Sequence, residues 1–128
     1  MTDWTESELI AAGYTIHNAL ITKVDLSMAN HSCLTLNLTL KGKGFGVDYG
    51  GISLGFGYVG SDKFEGSSKG TEYIMRIMDT LDSDSLIGLK DEYVRVAIKD
   101  GKLCGTIVKI IGHIIKDKWF DPDKLFKE

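Results

Sequence analysis

The stretch from Cys33 to Leu40 alternates cleanly: Leu34, Leu36, Leu38 and Leu40 fall on one parity, and Cys33, Thr35, Asn37 and Thr39 on the other. Strand side chains point to opposite faces in turn, so this is a half-buried strand with a leucine face turned inward. Upstream, between Tyr14 and Leu26, Ile16, Leu20, Val24 and Leu26 share a parity, with Asn18 and Thr22 as polar members of the same face. Met28-Ala29-Asn30-His31 reads as the connection, so the two segments predict a hairpin.

A glycine–aromatic segment follows from Lys41 to Gly60, KGKGFGVDYGGISLGFGYVG. Val47, Tyr49, Ile52, Leu54, Phe56 and Tyr58 predict one or two strands bent at Gly50-Gly51, because glycine within a strand marks a bulge or a close backbone approach. Ser61 to Gly70 is polar and reads as an exposed loop. Thr71 to Asp82 is the best helix, with Tyr73, Ile74, Ile77, Met78 and Leu81 on one stripe and Glu72 placed to pair with Arg76. Asp82 and Asp84 read as caps of a short turn over Leu86 to Leu89. Glu92 to Lys99 predicts a strand, Asp100-Gly101 a type I′ turn, and Lys102 to Ile115 a long return strand that Gly105 and Gly112 allow to bend. Residues 3–12 form a short helix or arm, capped by Thr2 or Asp3, anchored by Trp4, Leu9 and Ile10, and ended by Gly13. The tail docks through Trp119, Phe120, Leu125 and Phe126, with Asp121-Pro122 starting a helix. The expectation is an α+β fold: a curved, barrel-like antiparallel sheet with one main amphipathic helix and a short C-terminal helix. It is one domain, 1–128, made of an arm (1–12), a sheet-plus-helix core (13–115) and a docking tail (116–128).

Length and composition set the class. A chain of 128 residues with 43% hydrophobic and 26% charged residues suits a single globular domain that needs no disulfide or metal for stability. There is no apolar run of about 18 residues to span a membrane. The acidic start, Met1-Thr2-Asp3-Trp4-Thr5-Glu6, does not look like a secretory signal. A net charge of −3 argues against non-specific nucleic-acid binding. A cytoplasmic protein is expected, with Cys33 and Cys104 as free thiols.

Few residues suggest chemistry. His17, His31 and His113 lie at no metal-ligand spacing, no GxSxG elbow is present, and a Cys33–His31 pair would need both residues on one strand face. No catalytic residue, metal site or cofactor is expected. Gly42-Lys43-Gly44-Phe45-Gly46 lacks the helix that a phosphate-cradling loop requires. The glycine segment has two readings. Its glycines shape a bent strand, or they open a shallow platform on which Phe45, Tyr49, Phe56 and Tyr58 stack against a flat ligand. Arg95, in mid-strand, is either a phosphate clamp or a salt-bridged strand residue. Lys116 and Lys118 are either further phosphate contacts or a solvated turn.

Taken together, Asn18-Ala19-Leu20-Ile21, the Gly-Phe-Gly and Tyr-Gly-Gly pieces, Glu72-Tyr73-Ile74 with Ile77-Met78, Tyr93-Val94-Arg95-Val96 and Gly112-His113-Ile114-Ile115-Lys116-Asp117-Lys118-Trp119-Phe120 resemble small phage- and prophage-encoded accessory proteins of unknown function. The likeness covers about residues 16–122. The layout is also similar to the phage anti-Thoeris sponge proteins, which sequester cyclic ADP-ribose-type signals without degrading them and are oligomeric. None of their binding residues is carried over. The resemblance implies a non-enzymatic counter-defence protein that binds a cyclic nucleotide-type signal, a cyclic ADP-ribose isomer or a cyclic oligonucleotide, in the host cytoplasm. A homo-oligomer is expected. Phe45, Tyr49, Phe56 and Tyr58 would stack on the base, and Arg95, Lys116 and Lys118 would hold phosphate. The alternative is a protein-binding inhibitor of a bacterial defence complex such as a CRISPR or restriction enzyme, with Asp62, Glu65, Asp82 and Asp84 mimicking DNA phosphates.

Overall fold

Strand β1 (Tyr14–Asn30) runs for 17 residues, long enough to hold a different neighbour along each half. In this computed structural model, which describes residues 2–30, 32–57, 62–99 and 107–126, the first half of β1 pairs antiparallel with β5 (Tyr93–Lys99). The second half pairs antiparallel with β2 (Cys33–Gly42). Strand β3 (Phe45–Gly57) returns along β2, and β4 (Phe64–Gly66) along β3. On the other side β5 carries β7 (Ile110–His113), which carries β8 (Trp119–Phe120). The result is an eight-stranded sheet in the order β4-β3-β2-β1-β5-β7-β8.

The remaining strand, β6 (Ile107–Val108), is separated from β7 by Lys109 alone and lies parallel to Asp48 and Tyr49 of β3. The sheet therefore curls until the β6–β7 segment reaches from β5 to β3, while its path stays open at β4 and β8. The main helix α2 (Ser68–Thr80) connects β4 to the second half of the sheet. The short helices α1 (Glu6–Ala11) and α3 (Pro122–Phe126) lie at the two ends of the chain. The expected α+β class, with a curved antiparallel sheet, one main helix and a short C-terminal helix, is the one observed. Strands β1, β2 and β3 thus form a meander, α2 follows β4, and β6 lies parallel to β3.

Burial follows the curl. Ala19, Ile21, Leu36, Leu38, Leu40, Val47, Tyr49, Val94, Val96 and Ile111 fill the inner face, and Tyr73 and Ile77 of α2 close over them. A second cluster lies on the opposite side of β1 and β5, where Leu9, Ala97, Ile110 and Trp119 pack with Trp4, Tyr14 and Ile16. Strand β5 is thus covered on both faces, which explains its nearly unbroken apolar run.

The sequence pattern departs from the structure where register slips. Pairing skips between Ile21 and Lys23, with the Thr22 hydroxyl donating to the Thr39 carbonyl at 3.3 Å. That bulge turns the strand over. Ile16 therefore packs in the second cluster and Val24 against the main core, although they share a parity. The strand also runs on to Asn30, through residues read as a connection. The expected loop from Ser61 to Gly70 contains β4 and the first turn of α2, where the Ser67 hydroxyl caps the helix by accepting from Gly70 N–H at 3.0 Å. Helix α1 is capped by Thr5 in a capping box with Glu8, not by Thr2 or Asp3, and Ile10 is exposed instead of anchoring it. The Asp100-Gly101 turn and Gly105 lie outside the described residues. The described part of the return strand ends at His113.

The bend expected at Gly50-Gly51 occurs, and both residues have positive φ, 130° and 84°. A Cβ on Gly50 would lie 2.0 Å from the Leu36 carbonyl oxygen, so side chain and backbone cannot both stay in place. Gly50→Ala is expected to cost about 2–4 kcal/mol of stability, and Gly44→Ala, which meets open space, about 1 kcal/mol. Urea denaturation of the two variants measures the difference.

Candidate functional site

The residues expected to hold a ligand separate into three groups. Phe45 and Tyr49 point into the core, where Tyr49 is 1% exposed and stacks on Tyr73 with centroids 6.2 Å apart. The Phe45 ring lies over Gly42 and meets His17 edge-on, at 5.5 Å between centroids. Phe56 stands on the outside of the sheet, in register with Cys33 and Glu65, and is exposed. Tyr58 lies outside the described residues. The structure therefore does not place Phe45 and Tyr49 on a common surface with Phe56.

Arg95 is engaged within the fold. Its Nε donates to the His113 carbonyl at 2.7 Å, and its Nη2 to the Lys116 carbonyl at 2.8 Å. Its Nη1 pairs with Glu6 at 2.5 Å, and the guanidinium lies 4.8 Å from the Trp119 ring centroid. Trp119 in turn lies over Gly112, whose missing side chain leaves it room: a Cβ there would meet the indole at 2.4 Å. Gly112 thus admits the Trp119 ring. Thr2, Asp3 and Trp4 close on the same place. Asp3 N–H donates to the Trp119 carbonyl, Trp4 Nε1 to the Asp121 carboxylate, and Asp121 N–H to the Asp3 carboxylate.

Lys116 and Lys118 converge on Asp82, at 2.6 and 3.0 Å. His113 Nε2 lies 3.4 Å from the same carboxylate, while its Nδ1 accepts from the N–H groups of Ile115 and Lys116. Asp82 is therefore the anchor that ties the turn after β7 to the end of α2, not a helix cap. Hydrogen bonds from Lys116 and then Lys118 hold its carboxyl down at about 2. Burial pushes the His113 imidazole below its ordinary value; Asp82 opposes this, and Lys116, Lys118 and Arg95 add to it.

The best-formed concavity lies elsewhere. A cleft of about 200 Å³ opens where the ends of β1, β5 and β7 meet. It is lined by Ala97, Ile98, Val108 and Ile110, by the Tyr14 ring, and by Lys99, Lys109, Asp121 and Asp123. The Lys99 ammonium lies 5.4 Å from the Tyr14 centroid. Lys109 pairs with Asp123 at 3.4 Å, with both side chains largely exposed. Asp121 is committed to Trp4 and to the Asp123 N–H. The arrangement offers an apolar lining, the Tyr14 ring, two ammonium groups and two carboxylates, enough to orient a flat polar ligand. Sequence reading missed it because Tyr14 and Lys99 are unremarkable strand ends. Only the register Tyr14↔Lys99 brings them together.

The outer face of β2 and β3 is a second open surface. Lys23, Thr39 and Asp48 form one cross-strand row, and Asp25, Asn37 and Gly50 the next. Among the described residues no group of His, Cys, Asp or Glu has metal-binding geometry, and no helix is long and apolar enough to cross a membrane. Comparison with protein-family models, with curated proteins and with solved structures finds no match.

Two outcomes follow. The hydroxyls of Tyr49 and Tyr73 are buried without a hydrogen-bond partner among the described residues, and burial raises both phenols, Tyr73 to about 12. Tyr49→Phe should therefore leave stability unchanged or raise it by about 1 kcal/mol, as read by thermal unfolding. Acid should destabilise the fold in two windows. His113 is harder to protonate folded than unfolded, so stability declines as pH falls below 6.5. The Asp82 contribution is whole above 3.8 and is lost as pH falls through about 2. Unfolding measured against pH should lose the upper window in His113→Gln and the lower one in Asp82→Asn.

Proposed function

We propose that the protein is a non-catalytic binding protein that takes a nucleotide-type ligand in the cleft beside Tyr14. Its role on this reading is to sequester a cyclic nucleotide-type immune signal, a cyclic ADP-ribose isomer or a cyclic oligonucleotide, as a phage counter-defence protein. The observation that carries the binding reading is the placement of the Tyr14 ring, the apolar lining and the Lys99 and Lys109 ammonium groups around one cavity. A base stacks on the ring, and its phosphates meet the ammonium groups. Lys109 is exchangeable because its pair with Asp123 is exposed and long, and such pairs contribute little. The role as a sponge rests on the sequence resemblance. The site moves from the glycine segment to the cleft because Phe45 and Tyr49 serve the core and Arg95 binds the N-terminal arm. Sequestration requires affinity and no general acid or base.

A second reading takes the same chemistry in the form of a strand. The β1–β2–β3 meander with β6 parallel to β3 is similar to OB-type barrels, which receive oligonucleotides across their second and third strands. Here that face is left bare by Gly46, Gly50 and Gly51 and carries Lys23, Lys41 and Lys43, the last in the β2–β3 turn, together with Asp25 and Asp48. This support is a fold-level analogy.

Native mass spectrometry of the purified chain decides between them, using cyclic dinucleotides, cyclic ADP-ribose isomers and short oligothymidylates. The expected result is a stoichiometric adduct with a cyclic nucleotide, recovered unchanged after denaturation. Lys99→Ala or Tyr14→Leu should weaken it about tenfold or more. An adduct with oligothymidylate alone, insensitive to Lys99→Ala, would move the function to the β2–β3 face. No adduct with any member would overturn both readings.

A further inference from the structure

We propose that β4 is the contact through which two copies of this chain associate, edge to edge and antiparallel, about a two-fold axis at Phe64. The argument begins with hydrogen-bond direction. Ser67 N–H donates to the Leu54 carbonyl, and β4 pairs with β3 in the register Gly55↔Gly66, Phe56↔Glu65, Gly57↔Phe64. Antiparallel pairs alternate between bonded and non-bonded, so after Leu54/Ser67 the next bonded pair is Phe56/Glu65. The backbone groups of Glu65 thus turn toward β3. Those of Phe64 and Gly66 turn outward, to an edge that pairs with no described strand.

A second β4 laid antiparallel on that edge, with Phe64 opposite Phe64, satisfies these outward groups. Phe64 bonds its own copy, and Gly66 bonds Asp62. The intervening non-bonded pairs, in which side chains approach most closely, are Lys63 with Glu65 and Glu65 with Lys63. The charges are self-complementary, as a two-fold contact requires. They also select the register. An axis at Lys63 would set lysine against lysine, and an axis at Glu65 would set glutamate against glutamate. The other face of the same strand is apolar. Phe64 is 74% exposed, and together with Met28 it covers Gly57, where an added Cβ would meet both side chains at 3.0 Å. Leu26, two residues before Met28 on β1, is exposed as well. Pairing about Phe64 brings the two Phe64 rings side by side and makes one apolar surface of the two patches. A contact of this size belongs to the weak, reversible class.

Sedimentation equilibrium of the full chain, from micromolar to millimolar concentration, tests the proposal. The wild type should show a reversible monomer–dimer equilibrium. Lys63→Glu and Glu65→Lys, each placing like charges opposite, should weaken it about tenfold or more. The double variant K63E/E65K should restore it. Circular dichroism should show the native fold in all of these variants, and recovery in the double variant separates the contact between copies from any local effect of a single reversal. A wild type that stays monomeric throughout, single reversals without effect, or a double variant that fails to recover would each overturn the proposal. The readout does not involve the cleft, so the outcome is independent of the ligand.

Discussion

The architecture depends on one strand with two sets of neighbours. Leu20 of β1 lies opposite Tyr93 on one side and Lys41 on the other, and from there the strand passes from β5 to β2. Inserting Thr22 as a bulge just after this handover twists the ladder and reverses its faces. One strand can thereby turn Ile16 to the second cluster and Val24 to the main core. A strand without the bulge would keep Ile16 and Val24 on one side and take Val24 away from the main core.

The second cluster determines what the surface can do. Because the arm, Trp119 and Arg95 cover the outer side of β5 and β7, that face is closed over most of its length. It opens at the Tyr93 end and at the far end, where Tyr14 and Lys99 stand next to the cleft. A guanidinium in mid-strand, attractive as a phosphate clamp, is instead part of the fold, with acceptors in two segments and an aromatic ring beneath it. The lysines near the end of the return strand have a similar role, as partners of Asp82.

Much of the fold was legible. The Leu34–Leu40 alternation, the bend at Gly50-Gly51, the stripe of α2 and the Glu72–Arg76 pair all appear as the pattern implies. The features that were not legible depend on register. A bulge has no sequence mark when the residue in it is an ordinary threonine. β4 is too short for periodicity to detect, and β8 is only Trp119-Phe120. The site was the least legible part. An aromatic residue between glycines looks the same in sequence whether it faces solvent or the core, and Tyr49 faces the core. Arg95 gave no sign of its acceptors, because Glu6 and the His113–Lys116 turn are both distant from it in the sequence.

The contacts of the arm also bear on the order of folding. Trp4 reaches Asp121, and Asp3 meets the Asp121 N–H, across sequence separations of 117 and 118 residues. Contacts this distant form only after the chain between them has been made and brought together. The arm is therefore synthesised well before its partners, and Trp4 cannot reach Asp121 until that segment has been made. A nascent chain halted before Trp119 would carry the surface of the second cluster uncovered.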